Sequence, residues 1–191
     1  MSAKAVTCVF GPQRPPDRGP GYGWRDGMMG HGVIGQGVIA GIARHARSRA
    51  AMEEIGSAVI TPERGVEGDC KGRFKPGGRN RRQVTLIERV DWAAAMAELG
   101  ANHRWSARRA NILVDGLDLP KVAGSVLRIG AVRLIVTVEC NPCSRMDAIE
   151  SGLQAALAND WRGGVCTRVL AGGEIAIGDI ILVEQTMETI S

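Results

Sequence analysis

Cys140-Asn-Pro-Cys143 is the stretch with the plainest capacity for chemistry. Two thiols at Cys-x-x-Cys spacing can attack and resolve as a redox pair, or present soft sulfur to a metal. An apolar run, Leu134-Ile135-Val136-Thr137-Val138, leads into the pair, and a segment with helical apolar spacing follows from Met146. The pattern predicts a strand that delivers both thiols to the mouth of a helix, where free N–H groups and the helix dipole favour thiolate over thiol. The spacing matches the thioredoxin-like Cys-x-Pro-Cys arrangement, but that arrangement belongs near the start of a βαβ unit, and here the pair comes late in a β-rich chain. The polar neighbours Glu139, Asn141, Ser144, Arg145 and Asp147 point to an exposed turn. A structural zinc site wants four ligands. Cys8, Cys70, Cys166 and the histidines His31, His45 and His103 are scattered without ligand spacing.

Two other segments carry charge suited to an anion. Arg108-Arg109 enters the apolar run from Asn111 to Val114, which ends in the turn pair Asp115-Gly116. A buried arginine needs an acidic or anionic partner, and phosphate suits its planar fork. The alternative is that both arginines are solvated before the strand begins. Between Glu63 and Arg82 lies a glycine-rich polar segment with Arg64, Lys71, Arg73, Lys75, Arg79, Arg81 and Arg82 against Glu63, Glu67 and Asp69. Such a loop either cradles an anion with backbone N–H groups and guanidinium forks or is a solvated surface loop.

The elements that must position these residues are mostly strands. β-Branched runs recur at 37–43, 58–61, 83–87, 111–114, 126–129, 132–138, 165–169 and 180–183, separated by Gly, Pro or Asp turns. Ile129-Gly130-Ala131 reads as a tight connection, and Gly172-Gly173 punctuates another pair. Two helices interrupt, at 89–99, with Val90, Ala93, Ala94, Ala97 and Leu99 at near-helical spacing and Gly100 as its stop, and at 146–159, with Ile149, Leu153, Ala156 and Leu157 on one face. Strands and helices do not alternate regularly, which argues against a doubly wound sheet and for a mainly β fold closed, or partly closed, as a barrel.

Composition bounds the rest. The 191 residues, 45% of them hydrophobic, suffice for one domain with a real, mostly aliphatic core, since aromatics contribute only 4%. The Pro- and Gly-broken residues 1–30 read as a flexible tail before a domain at 31–191. No apolar run has the length of a membrane span and no secretory signal pattern opens the chain, so the expectation is a cytoplasmic protein. Five cysteines cannot all pair within one chain. A net charge of +4 is compatible with an anionic ligand and too weak to demand nucleic acid. Trp92, Trp105 and Trp161 lie apart and are expected in the core rather than as stacking platforms for bases.

In their order and spacing, Val66-Glu67-Gly68-Asp69, Arg82-Gln83-Val84-Thr85-Leu86, Arg108 to Leu119, Cys140 to Cys143, Gly163-Gly164-Val165 and Gly172 to Asp179 resemble a MOSC domain, the module named after the C-terminal part of molybdenum-cofactor sulfurases. The similarity runs roughly from Gly37 to Val183. It implies a β-barrel with a cleft for the molybdenum cofactor (molybdopterin) or a sulfur-bearing intermediate. By position it implies Cys143 as molybdenum ligand or sulfur carrier; Cys140 is less widely shared in the family, and a resolving role for it comes from the Cys-x-x-Cys spacing alone. It further implies Lys71, Arg82, Arg108, Arg109 and Asn111 as cofactor-binding residues, the cations holding the pterin's phosphate. Many relatives carry a histidine soon after the Gly-Asp pair, where this chain has Cys70-Lys71. The chain lacks a pyridoxal-phosphate lysine domain and the N-terminal barrel of the amidoxime reducers, and so resembles a stand-alone member. The implied activity is reductive dehydroxylation of N-hydroxylated bases or amines with a separate electron-transfer protein, or sulfur transfer through Cys143 with a sulfur-donor protein. The alternatives are a non-catalytic carrier of cofactor or sulfur and a thiol–disulfide oxidoreductase using the Cys140/Cys143 pair.

Overall fold

The structure is a computed structural model describing residues 33–184. The expected tail at 1–30 lies outside the described residues. The long first strand β1 (Val33–Arg44) is the seam of the molecule. Its first half pairs antiparallel with β11 (Ile180–Glu184), its second half with β6 (Ile112–Asp115), and its end with β2 (Glu53–Ile55). From β11 the sheet runs through β7 (Val126–Ile129), β8 (Val132–Glu139), β9 (Val165–Ala171) and β5 (Val84–Glu88) back to β6 and β1. The pairing of β11 with β1 closes a seven-stranded barrel, the mainly β architecture expected. A small second sheet of β10 (Gly173–Ala176), β3 (Ser57–Thr61) and β4 (Gly65–Val66) lies beside it in the chain's topology.

The period-2 pattern shows why these runs are strands. Along β8, Val132, Leu134 and Val136 are buried while Arg133, Ile135 and Thr137 are partly exposed. The inward set joins Ile39, Ile42, Leu86, Ile112, Leu127, Ile129, Val165 and Ile181 in one aliphatic core. The β7–β8 connection is the tight Gly130-Ala131 turn expected, with Gly130 at φ +55°. Strand β5 departs from the alternation and is buried at every position. Val84 and Leu86 face the barrel interior, whereas Ile87 faces a second cluster outside it.

That outer cluster is built by α1 (Arg89–Leu99), which crosses over between β5 and β6, the one parallel strand pair among the described residues. The helix ends, as expected, at Gly100 in the left-handed conformation. Its buried face differs from the expected one. Trp92, Ala95 and Met96 point inward and Val90 is exposed, because the large Trp92 and Met96 side chains bury more apolar area than a stripe of alanines.

The helix expected over 146–159 is a correction. Regular helix is confined to α2 (Leu153–Ala156), preceded by a series of turns. Gly152 sits at φ +85° and breaks the helix, and Asp147 Oδ1 accepts the Gln154 N–H across that break. Leu153, Ala156 and Leu157 still share one buried face against α1, so the apolar spacing reported packing rather than a continuous helix. Among the described residues no helix is long and apolar enough to cross a membrane.

Two stability outcomes follow. Leu134→Ala, in the barrel interior, should cost about 2–5 kcal/mol in a denaturant titration. Glu88, which accepts the Leu119 N–H at 2.9 Å, is raised by burial from 4.5 to about 7. Folding therefore favours its protonated form. The stability it contributes is complete below pH 4.5 and is lost as pH rises through about 7. Glu88→Gln keeps an acceptor without the charge. Its melting temperature should match the parent near pH 4.5 and exceed it at pH 8, by about 1 kcal/mol of stability after allowance for solvent screening.

Candidate functional site

The site begins with a buried guanidinium. Arg108 closes a short 3-10 turn (Trp105–Arg108) and is 3% exposed. Its terminal nitrogen donates to the Gly163 carbonyl at 2.7 Å, to the Cys140 carbonyl, and to Cys140 Sγ at 3.1 Å. The solvated alternative for this arginine is therefore set aside. Gly163 makes the approach possible, since a Cβ there would lie 2.9 Å from the Arg108 nitrogen and collide with the Cys140 carbonyl. Gly164, at φ +88°, turns the chain against Leu86 so that β9 can start beside β5.

Arg82, at the end of the basic loop, donates to Cys140 Sγ from the other side at 3.0 Å. Cys140 is 1% exposed and has a third neighbour, the buried Cys166 of β9. The neighbouring Cys166 thiol, with the charges of Arg108 and Arg82, holds the Cys140 thiol down to about 5 against the opposing effect of burial. Cys166, which donates to the Glu139 carbonyl at 3.9 Å, is pushed up by its neighbour Cys140 and by burial. The expected source of thiolate stabilisation, a helix mouth, is corrected here: two guanidinium groups and a thiol supply it. Cys143 is exposed on the following turn, where its carbonyl accepts the Met146 N–H at 2.8 Å. The two cysteines of the motif thus occupy opposite environments.

A second, polar cleft is lined by His45, Asp69, Lys71, Arg82, Gln83, Thr85, Arg109 and Asn111. Asn111 opens β6 and is 7% exposed. Its Oδ1 accepts from the Thr85 N–H at 3.1 Å and the Thr85 hydroxyl at 3.0 Å, and its Nδ2 donates to the Ala43 carbonyl and to Asp69 Oδ2 at 2.7 Å. With both ends engaged, Asn111 positions Asp69. Asp69 in turn accepts from His45 Nδ1 at 3.1 Å and the Lys71 N–H at 2.8 Å. This assigns the Nδ1–H tautomer to His45 and leaves Nε2, buried and without a protein partner, as a lone pair. Burial, and then Arg109 and Lys71, outweigh Asp69 and keep the imidazole below its usual range, hence neutral near pH 7.

Arg109 follows Arg108 but turns away from it, because its backbone is left-handed at φ +64°. It donates to the Ala50 carbonyl at 2.8 Å, while its Nε and second terminal nitrogen are buried without partners. Lys71 is drawn below its usual range by partial burial, then by Arg82 and Arg109. Among the described residues no carboxylate lies within 4.0 Å of the side-chain nitrogens of Lys71, Arg82, Arg108 or Arg109, whereas Arg44, Arg89, Lys121, Arg128, Arg133 and Arg162 all have one. Ligand atoms of His45, Asp69 and Cys70 lie within 4.8 Å of one another. The Asp69 and His45 atoms there are already hydrogen-bonded together and ringed by cations, which makes the cluster a poor cation site.

The named residues therefore fall into two joined groups. Arg108, Arg82 and Cys140 meet at the thiol, and Lys71, Arg82, Arg109 and Asn111 meet in the polar cleft, with Arg82 in both. Cys143 stands outside the hydrogen-bonded set. Sequence reasoning missed His45 and Cys166. His45 meets Asp69 across 24 residues and Cys166 meets Cys140 across a strand pair, so neither has a spacing signal. The detectable hint for His45 was only its place at the end of an apolar strand.

Solved structures share this fold. YuaD from Bacillus subtilis aligns at a TM-score of 0.64 and 16% identity over 80% of this chain and 97% of its own. YiiM from Geobacillus stearothermophilus aligns at 0.62 and 17% identity over 81% and 79% of the two chains. YiiM from Escherichia coli aligns at 0.60 and 17% over 81% and 73%. No curated protein matches the sequence. Residues 74–182, more than half of the chain, match the MOSC domain model, and the chain belongs to the MOSC domain family.

Proposed function

We propose that the protein binds the molybdenum cofactor, with Cys143 as its soft protein ligand and the polar cleft as the seat of its phosphate. The single observation that carries this reading is the group of cations without carboxylate partners, Lys71, Arg82 and Arg109, around buried guanidinium nitrogens that lack any acceptor. Two like charges roughly 8 Å apart at an effective dielectric of about 20 repel by about 2 kcal/mol, so assembling three is costly until an anion is present. The donor types fit the group, guanidinium forks for phosphate and an exposed thiol for a soft metal, and the phosphate would rest at the mouth of the polar cleft, whose interior of about 10 Å³ holds no more than a water. When bound, the cofactor supplies two-electron redox chemistry. The protein's own residues would hold the phosphate through Lys71, Arg82 and Arg109, keep Asp69 and His45 in register through Asn111, and offer the His45 Nε2 lone pair to a ligand N–H or O–H. The proposed activity is reductive dehydroxylation of N-hydroxylated compounds with a separate electron-transfer protein. Sulfur transfer through a Cys143 persulfide is the variant that needs a sulfur-donor protein instead.

The test is metal and pterin analysis of protein purified from a cofactor-competent host. Cys143→Ser should lose at least nine-tenths of its molybdenum, and Lys71→Ala/Arg109→Ala should lower pterin occupancy at least tenfold. Full molybdenum retention by Cys143→Ser would remove Cys143 as the ligand. Loaded protein that never turns over N-hydroxylated substrates with an electron donor would be a carrier.

A second reading has its own observation. The clamped Cys140 sulfur, with Cys166 beside it, is a place for thiol chemistry independent of any metal. Thiolate absorbance near 240 nm should titrate at about pH 5, and Cys140→Ser should abolish that transition. A Cys140→Ser protein with an unchanged titration would assign the thiolate elsewhere.

A further inference from the structure

Beyond Arg109 lies a second cleft of about 410 Å³, whose lining combines the apolar side chains of Met52, Met146 and Ile149 with Arg104, Arg109 and Arg145. Arg109 is thus a shared wall. It lines both this cleft and the polar one, and two of its three guanidinium nitrogens are buried without an acceptor. Arg104 and Arg145, both exposed, likewise have no carboxylate within 4.0 Å among the described residues. Met146 is 2% exposed and anchors the apolar wall to α1 and α2. Its N–H holds the Cys143 carbonyl, so the exposed thiol sits on the turn that forms this wall.

A hydrated inorganic anion would gain nothing from the methionines and isoleucine, and a neutral apolar molecule nothing from the arginines. A cationic amine would be repelled by all three guanidinium groups. We infer that this cleft is the substrate subsite and that it takes an organic anion with an apolar body, a carboxylate or a phosphate monoester held by Arg104, Arg109 and Arg145. The inference rests on the proposed reductase activity for its catalytic meaning, and it narrows that activity to N-hydroxylated compounds bearing an acidic group. The binding itself needs no cofactor.

Calorimetric titration of cofactor-free full-length protein with 4-phenylbutyrate, phenyl phosphate, 4-phenylbutanol and inorganic phosphate tests it. Both aromatic anions should bind at least tenfold more tightly than the alcohol and than inorganic phosphate. Arg104→Gln/Arg145→Gln, exposed positions that leave the core intact, should weaken both anions at least tenfold, and Met52→Ser should weaken them while sparing inorganic phosphate. A preference for phenyl phosphate over phenylbutyrate, or the reverse, identifies the acidic group. Equal binding of the alcohol, or affinity unchanged in the double variant, would overturn the subsite. Cys143→Ser should bind the anions normally while losing molybdenum, so loss of either reading leaves the other measurable.

Discussion

The Arg108 guanidinium is the interaction on which the site depends. It is a full positive charge inside the protein, and an unpaired one would cost several kcal/mol. Its partners are two backbone carbonyls and a sulfur rather than a carboxylate. One of those carbonyls belongs to the end of the β8 run and the other to the residue pair that begins β9. The cation therefore ties together the two ends of the excursion from 140 to 163 that carries Cys143 and the wall of the second cleft. Cys140 answers the remaining charge: Cys166, Arg108 and Arg82 together hold its thiol below the usual range. Remove the small residue at 163 and the cation has no room, and without the cation the thiol keeps only Cys166 and Arg82 as stabilising neighbours.

The barrel serves this interaction by closure. Because β1 pairs with both β11 and β6, the sheet has no free edge along most of its circumference, and the aliphatic core can be small and nearly free of aromatics. Thr85, Asn111, Asp69 and His45 form a chain in which each side chain fixes the next, and the terminal imidazole is left with an open lone pair. Arg44, Arg89, Lys121, Arg128, Arg133 and Arg162 are each neutralised by a carboxylate, while Lys71, Arg82 and Arg109, which line the same cleft as this chain, are not.

Much of this was legible in the sequence. The eight principal strands follow from alternation and β-branching, and the Gly130 turn and Gly100 stop follow from backbone freedom. The short β2, β4 and β10 were not legible, since two to four residues carry too little pattern. The overextended second helix arose because turns around Gly152 happen to bury Leu153, Ala156 and Leu157 at helical intervals. Within the site, Arg82, Arg108 and Cys140 could be named but not joined, because their contacts span 32 and 58 residues. The relative standing of the two motif cysteines depends on burial, which a two-residue spacer does not encode. His45 was invisible for the same reason of long-range pairing.

Arg109 carries the remaining consequence. In an extended strand, neighbouring side chains diverge automatically, but a left-handed residue between a 3-10 turn and β6 does so with a sharper reversal and at a conformational cost of about 1–3 kcal/mol. One dipeptide thereby serves two compartments, Arg108 the buried sulfur and Arg109 the two clefts that it lines. The two guanidinium groups share a single peptide plane as their common mount.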